Sequence, residues 1–324
     1  MELTTERVPE RDRLAYWSQA VSRVLAPATV TARDTRSFSG RLASDHMGFL
    51  QITTLAADAQ RICWDARQLA ADKRGLLTVA MQKSGAARLR QAGRVAELAP
   101  GQLVLVDTGR PHVLDHAERA ELALFTVPAK VVGLRCGEVD QALARVISPD
   151  EGMGRLLAPF LESLSVSART ARPDVAHRLA GNTADLVATL VAEQAGAGYA
   201  DPDAARTALL TRIRQFVDQR LEDPDLDPTA VAAANNISVR YLHRLFENEG
   251  TTVRRWIQRR RLEECARELT RRSGSAPSVS AVARRWGFTN ASHFSRVFRA
   301  AYGMSPRQWR TGREGTRPEA DLGR

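Results

Sequence analysis

The last third of the chain is written twice. The triplet "AVA" at 230–232 returns at 281–283, 51 residues on; Leu242, Arg244 and Phe246 return as Phe294, Arg296 and Phe298, 52 on; Trp256 returns as Trp309, 53 on. The drift asks for one extra residue in each of two connections, where insertions are tolerated. A tandem repeat of this kind requires both copies to take one supersecondary form. Each copy reads as a short Ala-rich helix, a turn ("NIS" or "GFT"), a second helix, a glycine and a third helical start. That is the anatomy of a helix-turn-helix. The first helices are expected at about 228–235 and 279–286, the second at about 239–249 and 290–301.

In the second copy Phe294, Val297, Phe298 and Ala301 fall at i, i+3, i+4 and i+7, a stripe for burial. Leu242, Leu245 and Phe246 do the same in the first. The opposite faces then hold Arg240, His243, Arg244 and Glu247 in copy one, and Asn290, Ala291, Ser292, Ser295, Arg296 and Arg299 in copy two. These positions lie early in the second helix, where a helix entering a major groove meets base edges. Arginine bridges guanine O6 and N7, Ser, Asn and His bond singly, and small Ala291 and Ser292 let the backbone approach. For Arg244 and Arg296 a salt bridge or a phosphate contact stays open beside base contact.

Between the copies runs "TTVRRWIQRRRLEECARELTRR" (251–272), with Trp256, Ile257, Leu262 and Leu269 on its apolar side and arginines over much of the rest. A helix of about 18 residues there spans about 27 Å, comparable to the DNA repeat of about 34 Å. Gly303 can end the second copy's recognition helix, and Ser305-Pro306 opens another as N-cap and N1. Cys265, inside the linker segment, reads as a buried structural thiol.

Charge points the same way. Residues 206–324 carry 23 arginines and no lysine against 13 Asp and Glu, a net of +10; residues 1–205 balance at zero. Arginine forks match phosphates and guanine edges, so the segment suits a polyanion, with a solvated face in an Arg-rich chain as the bland alternative. The three cysteines, Cys63, Cys136 and Cys265, are widely spaced, which fits a reducing compartment and speaks against a disulfide framework or a zinc site. No run of about 18 apolar residues offers a membrane span. The charged start "MELTTERVPERDR" lacks the apolar stretch of a secretory signal. The expected location is the cytoplasm.

Upstream the texture differs. "RLAYWSQAVSRVL" (13–25) sets Leu14, Trp17, Val21 and Leu25 at helical spacing. From about 29 to 128, short apolar runs between turn signals read as strands of a sandwich or barrel, most plainly in "LAPGQLVLVD". Helices follow at 154–164 and 175–194. "AGAGYADPD" (195–203) is small and polar, a linker composition, and the tail "TGREGTRPEADLGR" reads as disordered. The expected domains are 1–194, a linker at 195–204, a helical domain at 205–311 and a tail at 312–324.

The residues from "DPTAVAAANNISVRYLHRLF" to "GFTNASHFSRVFRAAYGMSPRQWR" closely resemble the DNA-binding domain of AraC/XylS-type transcription regulators over roughly 100 residues. The resemblance implies two helix-turn-helix units on a linker helix, binding double-stranded promoter DNA and activating transcription with RNA polymerase. Its exposed recognition positions fall on Arg240, His243, Arg244, Ala291, Ser292, Ser295 and Arg296. "ANNIS" lacks the glycine often found in the first turn; Asn235 or Asn236 can take the left-handed conformation instead. "LLTVAMQKSGAARLRQAGRVAELAPGQLVLVDTGRPHVL" is similar to the AraC-type ligand-binding domain. That implies a cupin-like β-barrel with flanking helices that often dimerise, an α+β fold for the whole chain, and an aromatic or carboxylated metabolite as effector. Arg61, Trp64, Arg110 and His112 are the candidate pocket residues, with His112 alternatively satisfied at a strand end. A cupin metalloenzyme would need clustered ligands; His46, His112 and His116 lack that spacing, and no Ser/His/Asp or Cys/His signature stands out. The expectation is a regulator, not an enzyme, with no cofactor.

Overall fold

The structure, a computed structural model, describes residues 1–35, 37–70, 74–134, 136–168, 170–196, 202–270 and 277–312. Beyond Gly312 the tail expected to be disordered, and the middle of the expected linker, lie outside the described residues; Thr311, the first residue of that tail, ends a helix. The chain divides into two compact units, Met1–Arg212 and Ile213–Arg324, the division falling inside the helix Pro202–Gln219.

The first unit contains twelve strands among its described residues. They are β1 (Glu2–Thr4), β2 (Thr29–Ala32), β3 (Gly40–Met47), β4 (Leu50–Ala57), β5 (Gln60–Trp64), β6 (Leu76–Ser84), β7 (Ala87–Gln91), β8 (Arg94–Leu98), β9 (Leu103–Asp107), β10 (His112–His116), β11 (Ala120–Pro128) and β12 (Val146–Ile147). Its helices are α1 (Arg13–Val24), α2 (Ala66–Leu69), α3 (Ala129–Val132), α4 (Cys136–Ala142), α5 (Gly152–Ser167) and α6 (Pro173–Gln194), with α7 (Pro202–Gln219) crossing the division. The strands from Thr29 to Pro128 fill the expected stretch. They do not close into the expected barrel. Two open sheets form instead, ordered β1-β3-β4-β11-β6-β9-β12 and β2-β5-β10-β7-β8. A barrel needs its edge strands hydrogen-bonded together. Here the larger sheet is edged by strands of three and two residues, and side chains rather than backbone bonds fill the space between sheets.

That space is one apolar layer. Ile62, Leu89 and Leu114 of the smaller sheet meet Leu55, Leu122 and Leu124 of the larger, with Trp17 and Val21 of α1 at one end. The alternate residues of the larger sheet, among them Leu103, Leu105, Ala123 and Phe125, turn the other way and pack on Leu157, Leu161, Val187 and Leu190 of α5 and α6. Burial on both faces explains why "LVLV" at 103–106 is apolar without alternation. Trp17 is seated by Gly40, where an added Cβ would lie 2.8 Å from the indole, and its Nε1 donates to Gln60 Oε1 at 2.7 Å.

The second unit is helical: α8 (Pro228–Ala234), α9 (Val239–Glu247), α10 (Val253–Thr270), α11 (Val279–Arg285), α12 (Ala291–Tyr302) and α13 (Pro306–Thr311). The long α10 shows no single apolar stripe because it serves two cores. Its early Trp256 packs edge-on to Phe246 of α9 at 6.0 Å, whereas its late Leu262, Cys265, Ala266 and Leu269 pack on Val282, Phe288, Phe294 and Phe298.

Candidate nucleic-acid interface and effector cavity

The repeat is legible atom by atom. Asp227 and Ser278 cap α8 and α11, accepting from the N–H of Ala230 (2.8 Å) and Ala281 (3.1 Å). Each helix then ends in the same turn. Ile237 N–H donates to Ala232 O (3.1 Å) and Phe288 N–H to Ala283 O (2.9 Å), across a left-handed residue, Asn236 at φ +54° and Gly287 at φ +73°. Asn236 thus does the work expected of it or its neighbour. Gly287 has a second reason: a Cβ there would lie 2.8 Å from the Arg261 guanidinium. Ser238 and Asn290 cap α9 and α12 through Tyr241 N–H (3.1 Å) and His293 N–H (2.9 Å). One extra residue therefore sits in the second turn. The other is taken up at the end of the second helix, where α12 runs directly to Gly303 at φ +74° while α9 stops three residues short of Gly250 at φ +69°.

The two helices are held from one side. Leu242, Leu245 and Phe246 are buried in α9, and Phe294 and Phe298 in α12. Val297 is half-buried and Ala301 exposed, so the stripe is narrower than its spacing suggested. Burying two phenylalanines through a shared cluster is enough: each is worth about 3–5 kcal/mol by truncation.

On the other side Arg240, Arg244, Arg296 and Arg299 are exposed and have no ion-pair partner among the described residues, and His243 is half-buried. Ala291, Ser292 and Ser295 are exposed. Two candidates are already engaged. Asn290 Oδ1 serves as the cap, leaving its amide NH₂, and Ser295 Oγ donates to Ala291 O at 3.0 Å, leaving its lone pairs. Other arginines have structural partners. Arg260 pairs with Asp218 (2.8 Å), Arg267 with Glu264 (2.6 Å) and Arg285 with Glu268 (2.5 Å). Arg254 and Arg284 are exposed and unpaired among the described residues, and His293, on the first turn of α12, shares a groove with Arg254, Gln258 and Asn290. Sequence reading passed over these three; whether an arginine here finds an acidic partner is decided by folding, as Arg285 with Glu268 beside unpaired Arg284 shows. Cys265 is fully buried and burial pushes its thiol up to about 12, a packing residue.

In the first unit a cavity of about 60 Å³ lies between the sheets, lined mostly by Leu, Val and Ala, with Gln51, Trp64, Thr78, Thr108, His112 and Thr126 supplying polar atoms. Trp64 and His112 stack at 4.3 Å and 13°, brought together because they are register partners on β5 and β10. The other two expected pocket residues are elsewhere. Arg61 points out of the sheet to Asp115 at 3.2 Å, because strand alternation puts it on the face opposite Trp64. Arg110 lies outside the cavity in ion pairs with Asp107 (2.9 Å) and Asp140 (2.5 Å). Burial lowers the His112 pKa, and its Nδ1 lies 2.8 Å from Arg110 O. A carbonyl only accepts, so the proton sits on Nδ1 and Nε2 is the lone-pair acceptor. The described residues hold no cluster of His, Cys, Asp and Glu arranged to bind a metal ion, and no helix among them is long and apolar enough to cross a membrane.

A sheet sandwich with an internal cavity, joined in one chain to two capped helix-turn-helix units, defines a sensor-equipped DNA-binding regulator. Comparison with known proteins agrees. Residues 17–192 match the AraC-binding-like domain and residues 231–312 a helix-turn-helix domain. The chain belongs to the AraC family of transcription regulators. It is 29% identical over 313 residues to the transcriptional activator NphR of a Rhodococcus species, covering 96% of this chain and 92% of that one. Over 87 residues it is 44% identical to the transcriptional activator RhaS of Escherichia coli O139:H28, 26% of this chain and 30% of that one. Among solved structures, the AraC-like transcriptional activator CuxR shares the fold at TM-score 0.53 and 22% identity, covering 81% of this chain and 93% of that one.

Proposed function

We propose that α9 and α12 read one promoter site through two adjacent major grooves and that the sandwich cavity holds the effector that governs this. The observation that carries the reading is the sidedness of both helices: aromatics and leucines pin one face, and the other presents four arginines that no carboxylate among the described residues neutralises. Arg240, His243, Arg244, Asn290, Ala291, Ser292, Ser295, Arg296 and Arg299 are the proposed DNA contacts, with Arg254, Arg284 and His293 added as backbone contacts. The 18 residues of α10, about 27 Å long, suit readers about one DNA turn apart. Residues 1–194 would sense and dimerise, and 205–311 would bind DNA. The chain acts as an activator engaging RNA polymerase, in the cytoplasm where the promoter is, and has no catalytic role. A small aromatic or carboxylated metabolite is the effector class the family resemblance suggests.

The test is footprinting on a site selected from random duplexes by the full chain. Protection over two successive major grooves on one face of the DNA is expected; protection of one groove alone sinks the two-reader model. Arg296→Ala is expected to relax preference at particular base pairs, at about 1–3 kcal/mol each, with the melting temperature unchanged. Equal weakening on all sequences would make Arg296 a phosphate contact.

A further inference from the structure

The walls of the sandwich cavity sort ligands by charge. Among the described residues, no Lys or Arg side chain lines it. Arg61 and Arg110 face away and are paired with carboxylates. Arg74 is exposed, and its Nη2 donates to the backbone carbonyl of Leu25 at 2.6 Å. An ionised carboxylate between the sheets would leave water without a counterion, which strongly disfavours binding.

The polar atoms that remain favour one kind of partner. His112 Nε2 is an acceptor, since Nδ1 carries the ring proton. Gln51 Nε2 is committed to Val24 O, Ser44 Oγ and Thr53 Oγ1, leaving its Oε1. Thr108 Oγ1 donates to Leu76 O. Thr78 and Thr126 share one hydrogen bond at 2.8 Å, which leaves a single hydroxyl proton between them. Acceptors outnumber free donors, and the rest of the lining is aliphatic.

We propose that this cavity takes an uncharged, mainly apolar, ring-sized molecule bearing a hydrogen-bond donor, such as a phenol-type hydroxyl, received by His112 Nε2, and that it rejects carboxylates of the same shape. The inference rests on the reading of the sandwich as the effector-binding unit and narrows it to one chemical class. Burial keeps His112 below its usual pKa and hence neutral near pH 7, as an acceptor must be. At about 60 Å³ the cavity is smaller than the roughly 150 Å³ that accommodates benzene in an engineered core. A ring therefore enters only by moving its walls, which couples occupancy to the spacing of the two sheets.

Calorimetry on the full chain at pH 7.5 with toluene, p-cresol and p-toluate tests this, because the three share one skeleton. The expected order is p-cresol tightest, toluene weaker, and ionised p-toluate at least about tenfold weaker than p-cresol. His112→Phe should bring p-cresol down to toluene's affinity. Ala80→Leu, which fills the cavity, should weaken both; should it fail to fold, Leu98→Phe blocks the space from the other sheet. Binding of p-toluate as tight as p-cresol, weakened by Ala80→Leu and by Arg74→Ala, overturns the charge rule while leaving the cavity as the effector site. Binding that ignores both cavity-filling variants, or no heat from any of the three at millimolar concentration, removes the effector reading itself and the inference with it.

Discussion

His116 closes β10 facing into the sandwich, opposite Gln60 of β5, with neither ring nitrogen hydrogen-bonded among the described residues. Burial takes its pKa from 6.5 down to about 4, only partly offset by neighbouring Asp115. The sign follows from proton counting. Below pH 6.5 the unfolded chain binds a proton at this site and the folded chain does not, so stability falls as pH drops from about 6.5 to about 4 and levels off beneath. Melting temperature measured between pH 7.5 and 4 is expected to fall less steeply in His116→Phe than in the parent protein, the two differing by a few kcal/mol near pH 4. Parallel curves would show that His116 titrates freely. Residues on α12 separate by the same logic of burial. Phe298→Ala should cost about 3–5 kcal/mol and unfold the second unit's core. Exposed Arg296 should cost less than about 0.5 kcal/mol on truncation, since its value is realised only on DNA.

At the scale of elements, one side chain ties the two readers together. Arg261, on the middle of α10, donates from Nε to Leu221 O (3.0 Å) and from Nη2 to Asp223 O (2.5 Å) ahead of α8, and from Nη1 to Gly287 O (3.2 Å) in the turn before α12. Three carbonyls, two just ahead of the first copy and one in the turn of the second, converge on one planar group whose rigid fork constrains their spacing beyond what packing does. Arg261→Met keeps the stem and loses the fork. It is expected to bind a single-groove half-site nearly as well as the parent, but to tolerate a base pair inserted between half-sites that the parent rejects at least tenfold. Unchanged spacing discrimination in that binding assay would refute the role. Nothing in "RRRLEE" marks Arg261 apart from Arg259 and Arg260; only the fold brings carbonyls to it. Periodicity and turn chemistry, by contrast, located α8, α9, α11 and α12 within a few residues, because caps and glycines act locally. Sheet closure was misjudged because edge pairing is decided by strands as short as β1 and β12, which leave no pattern. Arg61 could have been excluded by counting: three residues from Trp64, it must lie on the opposite face of β5. Arg110 could not, since Asp140 reaches it from a helix 30 residues away.

For the whole molecule the decisive property is where the charge sits. The +10 of residues 206–324 equals the formal charge of the entire chain, and 1–205 contribute none. Several of the 23 arginines there are engaged internally, with Asp218, Glu264 and Glu268, and Arg261 with backbone carbonyls. Arg240, Arg244, Arg254, Arg284, Arg296 and Arg299 are among those left exposed without an ion pair in the described residues, open to phosphates. Each phosphate neutralised releases counterions, so four to six such contacts predict that log K for DNA falls with log salt at a slope of about −3.5 to −5.5. The proposed ligand is uncharged and the described residues put no cation in the cavity walls, so p-cresol affinity over the same range should change by less than about twofold. Measuring both titrations on one preparation between 50 and 200 mM salt separates the two functions of the chain. A DNA slope shallower than about −1 would mean that the free arginines do not meet phosphates. Single substitutions then divide the six by role. Arg254→Ala and Arg284→Ala should each make the slope about one unit shallower on every sequence. Arg296→Ala should leave the slope nearly unchanged and alter which base pairs are preferred, because a guanine edge carries no counterion to release.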